Sequence, residues 1–512
     1  MNTAQICITL AIVVYMAMVI GIGIQCSKRN KTTDDFYLGG RKLGPLVTAM
    51  SAEASDMSSW LLMGLPGVAY LTGVADAGWT AIGLGVGTYL NWLIVAKRIR
   101  LYSHHINAIT IPDFFSKRFH DKRNILTCIA AIVILIFFIP YTASGFAACG
   151  KLFASLFGFD YVAAMVVSGI VIVAYTTLGG FLAASTTDFI QSIIMTVALI
   201  VVLVFGVNMA GGLDVVMDNA RALPGYLGLT TIHDPATNQS GPYGLINICS
   251  TLAWGLGYFG MPHILLRFMA IEDERKLAIS RRVATVWVII SMCVAVFIGI
   301  VGYGVSKAGG IPVLEGSGSE TIIVQIAGLL SQYGIPAALL AGVVLAGILA
   351  STMSTADSQL LAASSSMSQN LLCDFLKLKI DSKKQIAVAR ITVVAIAALG
   401  MFLARNPDSS VFGIVSFAWA GFGAAFGPVM LFGLFWKRTN TWGALAGMVS
   451  GGAMVFIWKY LVRPLGGVWN IYELLPAFLV ACLCIVCVSL ATPAPEKSVV
   501  EEFEAVAQRN RK

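Results

Sequence analysis

Long apolar runs separated by short polar segments dominate the hydrophobic pattern of the chain. A run of about 20 apolar residues is long enough to cross a bilayer as an α-helix. This criterion predicts thirteen spans near residues 4–25, 45–73, 77–97, 124–155, 159–178, 186–209, 243–271, 280–306, 335–368, 385–404, 410–436, 441–462 and 471–491. We therefore expect an all-α integral membrane protein. The first run is kept as a span because residues 1–5 carry no basic residue of the kind that opens a signal peptide.

The composition and the loop charges support this interpretation. Charged residues make up 12% of the 512 residues, against about 25% in soluble domains, so the chain needs a lipid bilayer as its solvent. If alternate loops are cytoplasmic, they hold all of the 34 Lys and Arg residues except Lys151, Arg221, Lys307, Arg405, Lys459 and Arg463. The positive-inside rule then predicts an outside N-terminus and a cytoplasmic tail over 492–512. It also explains the net charge of +8 without a nucleic-acid partner.

Two spans are interrupted by polar, Gly and Pro residues in their middles. Irregular backbone at membrane depth survives only where it lines a cavity, and a pair of interrupted spans indicates the central site of a secondary transporter. The interruptions read Ser51-Ala52-Glu53-Ala54-Ser55-Asp56-Met57-Ser58-Ser59-Trp60 and Trp254-Gly255-Leu256-Gly257-Tyr258-Phe259-Gly260-Met261-Pro262. The two spans are five apart, so five-span repeats over 45–209 and 243–436 have opposite orientations. The span at 4–25 and two spans within 441–491 are additional.

Carboxylates and hydroxyls within the spans are candidate ion ligands. A charge at the bilayer centre costs about 3 kcal/mol, which singles out Glu53, Asp56, Asp188 and Asp357. Ser351, Ser354, Thr355 and Ser358 share one helical face, and hard cations prefer several oxygen ligands. Two alternatives remain open. The carboxylates could be helix-end charges or partners of nearby hydroxyls, and the hydroxyl face could serve helix packing.

No phosphate-binding loop and no paired-histidine zinc motif occurs in the sequence, which disfavours an ATP-driven pump and an enzyme. Uphill transport would then draw on an ion gradient. The motifs resemble those of the sodium:solute symporters over nearly the whole chain. The resemblance rests on Ala54-Ser55-Asp56-Met57-Ser58, Trp60-Leu61-Leu62-Met63-Gly64-Leu65-Pro66-Gly67, Trp254-Gly255-Leu256-Gly257-Tyr258-Phe259-Gly260, Pro262-His263-Ile264-Leu265, Met353-Ser354-Thr355 and Ala418-Trp419-Ala420-Gly421-Phe422-Gly423-Ala424-Ala425-Phe426-Gly427-Pro428.

The resemblance implies one transporter domain over 1–512 with a LeuT-like five-plus-five inverted repeat. It also implies sodium-coupled uptake of L-proline across the plasma membrane, with no cofactor; we expect a monomeric unit. The implied sodium ligands are the carbonyls of Ala54, Met57 and Ser351 and the hydroxyls of Ser354 and Thr355, with Asp56 and Asp188 on the ion path. The implied proline contacts are Ser58, Trp60, Tyr141, Trp254, Tyr258 and Pro262.

Two positions depart from the family pattern: Glu53 usually has a small or neutral counterpart, and Asp357 adds a carboxylate that could support the ion. Three other interpretations stay open at this point. The chain could carry another small solute such as a different amino acid, a carboxylate or a sugar. It could also be a membrane sensor on a transporter scaffold, or an intramembrane enzyme. The aromatic residues of the implied site could equally be packing or interface residues.

Overall fold

The computed structural model describes residues 2–27 and 33–511, and most of these residues are helical. A two-stranded antiparallel hairpin pairs β1 (Thr231–Asp234) with β2 (Gln239–Pro242), with Thr231 opposite Pro242. The α-helices are α1 Thr3–Ser27, α2 Thr33–Leu38, α3 Pro45–Asp56, α4 Leu65–Thr72, α5 Val74–Leu90, α6 Ala96–His105, α7 Ile111–Arg118, α8 Ile125–Phe157, α9 Tyr161–Met209, α10 Leu213–Arg221, α11 Leu245–Leu252, α12 Pro262–Ala270, α13 Leu277–Lys307, α14 Ile322–Leu330, α15 Ile335–Ser365, α16 Ser382–Leu403, α17 Val411–Phe435, α18 Thr441–Ile457, α19 Leu474–Ala491 and α20 Lys497–Arg511.

Wider and tighter helical turns fill several joints between these helices. The π-helical turns are Trp60–Gly64, Asn91–Val95, Ser366–Phe375 and Trp458–Val462. The 3-10 turns are Gly39–Arg41, Ala253–Phe259, Glu274–Lys276, Gly316–Thr321, Arg463–Leu465 and Gly467–Trp469. Such turns often mark functional breaks in a helix, and two of them lie in the two spans that the sequence predicts to be interrupted.

Every predicted span has a helical counterpart. Within the described residues, ten helical segments are long and apolar enough to cross a membrane, and the shorter apolar helices are Trp60–Thr72, Tyr161–Ala174 and Leu245–Phe259. The spans predicted at 159–178 and 186–209 both fall in α9, which is broken at Gly180, where φ is 68°. The total of thirteen crossings and the orientation of the termini stay predictions.

Helix α15 lies at the centre of the bundle. Every residue from Val344 to Ser365 is buried, and the helix packs against α1, α3, α8 and α9. The hydroxyl-rich segment of α15 is therefore enclosed by protein. Because α3 contacts both α15 and α9, the first interrupted span lies directly against this polar segment.

Three basic residues that charge counting assigned to cytoplasmic loops are buried within the fold. Arg100 is 6% exposed, Arg118 is fully buried and Arg267 is 1% exposed. Their burial does not test the orientation that the charge count predicts. Arg118 donates to the carbonyl of Gly433 at 2.7 Å and lies over the ring of Tyr102. Arg267 is paired with Asp188. A guanidinium that makes such contacts can be buried, and composition alone does not show them.

The segment predicted as a tail, 492–512, forms helix α20 over most of its described length. Its apolar side chains Val499, Phe503 and Val506 are buried, and the helix packs against α6. The exposed side carries ion pairs such as Lys437–Glu504 at 3.1 Å. The tail is thus a docked amphipathic helix.

Candidate functional site

The first interrupted span is α3, a break over residues 57–59, the π-turn Trp60–Gly64 and then α4. At the break, the N–H of Ser58 donates to the carbonyl of Asp56 at 2.8 Å, where helical continuation would take it to the carbonyl of Ala54. The N–H of Trp60 then turns to the hydroxyl of Ser58 at 3.1 Å. The backbone carbonyl of Ala54 is therefore freed from the helical ladder.

Three of the expected sodium ligands lie together: the hydroxyl of Ser354 and the carbonyls of Ala54 and Ser351. The hydroxyl of Ser354 donates to the carbonyl of Ala54 at 2.7 Å and to the carbonyl of Ser351 at 3.1 Å. A neighbouring hydroxyl, that of Thr355, is buried and has no hydrogen-bond partner among the described residues. Met57 sits at the break with ψ at 66°, outside the helical range. Carbonyl and hydroxyl oxygens are the ligands that a hard cation requires.

The second interrupted span is α11, the 3-10 turn Ala253–Phe259, an extended residue at Met261, and α12, which opens on Pro262. A proline suits the first turn of a helix because its missing N–H has no intrahelical partner there. Side-chain N–H groups occupy two carbonyls of the turn: Asn91 donates to Tyr258 at 3.0 Å and Trp419 donates to Trp254 at 2.8 Å. A Cβ on Gly257 would overlap the indole nitrogen of Trp419, so the turn needs glycine there.

Between the two breaks lies a small buried cavity of about 10 Å³, which has room for about one water molecule. Its walls are mostly aromatic, and each lining residue is at most 5% exposed. Trp60 and Trp254 face each other with ring centroids 5.5 Å apart. The lining residues are Asp56, Trp60, Leu84, Tyr141, Trp254, Val415 and Trp419. Aromatic walls and one carboxylate suit a small solute that carries both an apolar ring and a charge, and the walls must move apart to admit it.

Asp56 connects the two halves of the site. Its carboxylate accepts a hydrogen bond from the hydroxyl of Tyr258 at 2.6 Å, and its backbone carbonyl faces the hydroxyl of Tyr141 at 3.4 Å. Tyr258 in turn packs edge-on against Trp419. A residue next to the first break is thus tied to aromatic residues of the second break. Ser58, Tyr258 and Pro262, all expected proline contacts, are outside the described cavity lining.

Asp188 and Asp357 lie in a separate buried network. Asp188 accepts hydrogen bonds from Ser51 at 2.7 Å and from Arg267 at 3.1 Å. Arg267 also donates to the hydroxyl of Ser358 at 2.6 Å, and that hydroxyl faces Asp357 at 3.3 Å. Asp188 therefore pairs with a buried cation, a partner that sequence inspection did not identify.

Glu53, the other departure from the family pattern, is 1% exposed. One of its carboxylate oxygens accepts a hydrogen bond from the indole N–H of Trp92 at 2.8 Å, and the other has no hydrogen-bond partner among the described residues. The residue lies one turn before the break, beside the freed carbonyl of Ala54.

Sequence reasoning missed four residues of the site: Arg267, Leu84, Val415 and Trp419. Trp419 belongs to a motif quoted for the family resemblance, which gave a usable signal. Arg267 stands five residues after Pro262 at the end of an apolar run, and its proximity to the following basic loop concealed its role. Leu84 and Val415 carry no chemical signal, because an aliphatic side chain in a membrane span is unremarkable in sequence.

Comparisons with known proteins agree with this architecture. The sodium:solute symporter family model matches residues 36–451. The chain is 41% identical to the sodium/proline symporter of Salmonella typhimurium, with 96% of this chain and 94% of that protein covered. It is 39% identical to the osmoregulated proline transporter OpuE of Bacillus subtilis, with 97% of each covered.

Among solved structures, a Na+-coupled sialic acid symporter in an outward-open state has a TM-score of 0.78 at 16% identity. The match covers 96% of this chain and 99% of that one. This likeness confirms the LeuT-like fold predicted from the sequence. The protein is a multi-pass membrane protein and a secondary transporter, not an enzyme. By the family match and by identity over nearly its full length, the chain belongs to the sodium:solute symporter family.

Proposed function

We propose that this protein takes up L-proline across the plasma membrane together with sodium, by alternating access and as a monomer. Several relatives of similar length are named as proline transporters. The observation that carries the proposal is the position of Asp56: its side chain lines the aromatic cavity, while Ala54, two residues earlier, offers its carbonyl to Ser354 on α15.

Sodium is assigned to the oxygens of Ala54, Met57, Ser351, Ser354 and Thr355. Where an ion binds, the hydroxyl of Ser354 can turn its proton away and present its lone pairs, because a hydroxyl both donates and accepts. The carbonyls that this hydroxyl now satisfies would then coordinate the ion. Ion binding would thereby fix α3 against α15 and stabilise the closed cavity beside it.

Proline is assigned to the cavity between Trp60, Tyr141 and Trp254, whose walls must move apart to admit it. Its pyrrolidine ring matches the apolar walls, and its ammonium end would be attracted to the carboxylate of Asp56. Ser58, Tyr258 and Pro262 would support this cavity from outside its lining. The inverted repeats over 45–209 and 243–436 would contribute one break each, with 4–25 and 441–491 as additional spans.

The energy of the sodium gradient is sufficient for uphill uptake. One charge that crosses about 100 mV gains about 2.3 kcal/mol, and a tenfold sodium gradient adds about 1.4 kcal/mol. Together these support an accumulation of about 500-fold at 1.4 kcal/mol per factor of ten. One sodium ion for each proline molecule would therefore drive substantial uptake.

Uptake of radiolabelled L-proline into proteoliposomes tests the proposal. We expect saturable uptake with an inward sodium gradient and none when potassium replaces sodium. Asp56→Ala should abolish sodium-dependent uptake. Tyr258→Phe, which removes only the donor to Asp56, should weaken it about tenfold, as expected for a hydrogen bond to a charged group. Folded protein that transports another solute and not proline would reject the substrate assignment.

A further inference from the structure

Tyr472, a residue outside the two repeats, packs behind one wall of the proposed substrate cavity. It lies two residues before α19, the last membrane helix, and it is 9% exposed. Its ring stacks on the indole of Trp254 with centroids 5.0 Å apart and planes 21° apart. Because Trp254 forms a wall of the cavity, a residue of the additional spans supports that wall from behind.

Two hydrogen bonds fix Tyr472 between two helices of the second repeat. Its backbone N–H donates to the hydroxyl of Ser250 on α11 at 2.6 Å. Its phenol hydroxyl donates to the carbonyl of Ser416 on α17 at 2.7 Å. Helix α11 leads into the turn that holds Trp254, and α17 carries the cavity residues Val415 and Trp419. One residue therefore connects both sides of the cavity wall.

The adjacent residue anchors this connection to the additional spans. Glu473 is fully buried and is paired with Arg463 at 3.0 Å and with Lys459 at 3.7 Å. Arg463 also donates to Asn470 at 3.0 Å. A buried carboxylate between two cations holds the backbone at one position. The additional spans thus determine where the Tyr472 ring lies.

We propose that Tyr472 is a positioning residue for the substrate: it fixes the indole of Trp254 and joins α11 to α17 when the cavity is closed. This inference rests on the proposed function and deepens it, because it assigns the two C-terminal spans a role in substrate affinity. An opening of the cavity between α11 and α17 would require one of the two hydrogen bonds of Tyr472 to break. Substrate affinity therefore depends on Tyr472, whereas the sodium ligands on α3 and α15 do not contact it.

Kinetics of proline uptake separate this role from a structural one. Tyr472→Ala should raise the KM for proline about tenfold, equivalent to about 1.4 kcal/mol, with the sodium concentration for half-maximal uptake within about twofold of wild type. Tyr472→Phe keeps the stacking on Trp254 but loses the hydrogen bond to Ser416, so it should recover only part of the affinity. Tyr460→Ala is the matched control, since Tyr460 lies in the same additional spans and is 59% exposed. Equal effects of Tyr472→Ala and Tyr460→Ala on proline KM would overturn the proposal.

A second readout needs no knowledge of the substrate. With the ten native cysteines replaced, Val415→Cys places a thiol in the cavity wall, and a water-soluble thiol reagent reports how often the cavity opens in detergent with sodium present. Tyr472→Ala should speed this labelling about tenfold relative to Tyr460→Ala. Unchanged labelling overturns the inference. If wild-type protein fails to transport proline, the proposed function is rejected while the labelling result still decides the role of Tyr472.

Discussion

The two interrupted helices use different kinds of side-chain partner for the backbone carbonyls at their breaks. At the first break, the carbonyl of Ala54 accepts a hydrogen bond from the hydroxyl of Ser354, and the carbonyl of Asp56 accepts the N–H of Ser58 and faces the hydroxyl of Tyr141. At the second break, the carbonyls of Trp254 and Tyr258 accept hydrogen bonds from side-chain N–H groups. A hydroxyl can exchange donation for acceptance, whereas an indole or amide N–H can only donate.

This difference separates the two tasks of a symporter site. A carbonyl–hydroxyl cluster can become a cation site by rotation of one O–H bond, so the first break is suited to an ion that binds and leaves. A carbonyl capped by an N–H group stays capped, so the second break is suited to hold aromatic walls in place. Asp56 and Tyr258 link the two, which gives a physical route from ion binding to the shape of the substrate cavity.

The contact that joins the two broken helices should have the largest effect. Arg267 on α12 donates to Ser51 on α3 at 3.0 Å and pairs with Asp188. Removal of one partner of a buried ion pair costs about 3–5 kcal/mol because a buried charge is left unpaired. We expect Arg267→Gln to lower the free energy of unfolding in detergent by this amount. Addition of Asp188→Asn should restore part of the loss. A loss below about 1 kcal/mol would place the pair among those that contribute little.

Ser354 provides the sharpest test of the first break. Ser354→Ala removes the hydroxyl that contacts the carbonyls of Ala54 and Ser351. We expect the sodium concentration for half-maximal uptake to rise about 10- to 100-fold, in line with about 1.5–3 kcal/mol for a polar contact with a charge. Ser364→Ala is the matched control, because its hydroxyl is also buried on α15 but bonds, among the described residues, only to Leu361. Similar shifts in both variants would remove Ser354 from the ion site.

Asn91 tests the second break in the same way. Asn91→Ala leaves the carbonyl of Tyr258 without its donor, which costs about 1–3 kcal/mol in a buried site. Part of this cost destabilises the closed state of the cavity, so the KM for proline should rise about threefold to tenfold. Sodium activation should change by less than about twofold, because no expected ion ligand contacts Asn91. A larger shift in sodium activation than in proline KM would contradict the assignment of ion binding to the first break and of the cavity walls to the second.

The smallest effect of a substitution is expected at the docked helix α20. The hydrogen bond from Lys122 lowers the pKa of Glu496, which precedes α20. A lowered pKa stabilises the folded state above the unfolded value of about 4.3, and this contribution is lost as the pH falls through the lowered pKa.

Pepsin is active at low pH and should cleave α20 faster when the helix undocks. In wild type the cleavage rate should rise slightly as the pH falls through the lowered pKa of Glu496, and Glu496→Gln should remove this rise. Sodium activation of uptake at neutral pH should be unchanged in this variant, since the exposed pair Lys122–Glu496 lies outside both breaks. Identical acid profiles for wild type and Glu496→Gln would show that the pair contributes nothing to docking.

Sequence patterns predict the helices and the two breaks well, because lipid imposes a length on every span and tolerates polar backbone only around a site. The interruptions at Met57 and at residues 260–261 lie where the polar and glycine residues indicate. The approach of Ser354 to Ala54 follows from the family resemblance together with the shared hydroxyl face. These features depend on local sequence or on motifs that keep their order.

Contacts between distant segments could not be predicted from the sequence. Arg267 was assigned to a basic loop, since composition does not distinguish a loop charge from one that is paired 79 residues away with Asp188. Tyr472 carries no motif of its own, and its role depends on a stacking contact across more than 200 residues. Aromatic and charged side chains acquire such roles only through tertiary packing.

Equilibrium binding of radiolabelled L-proline at increasing sodium concentrations tests the central claim most directly. Because Asp56 lies between the proposed sodium ligands and the aromatic cavity, we predict that sodium strengthens proline binding and that proline strengthens sodium binding by the same factor. In Ser354→Ala the same gain in proline affinity should require about tenfold more sodium. Proline affinity that is independent of sodium, or equally sensitive to sodium in wild type and Ser354→Ala, would contradict the coupling of the first break to the aromatic cavity.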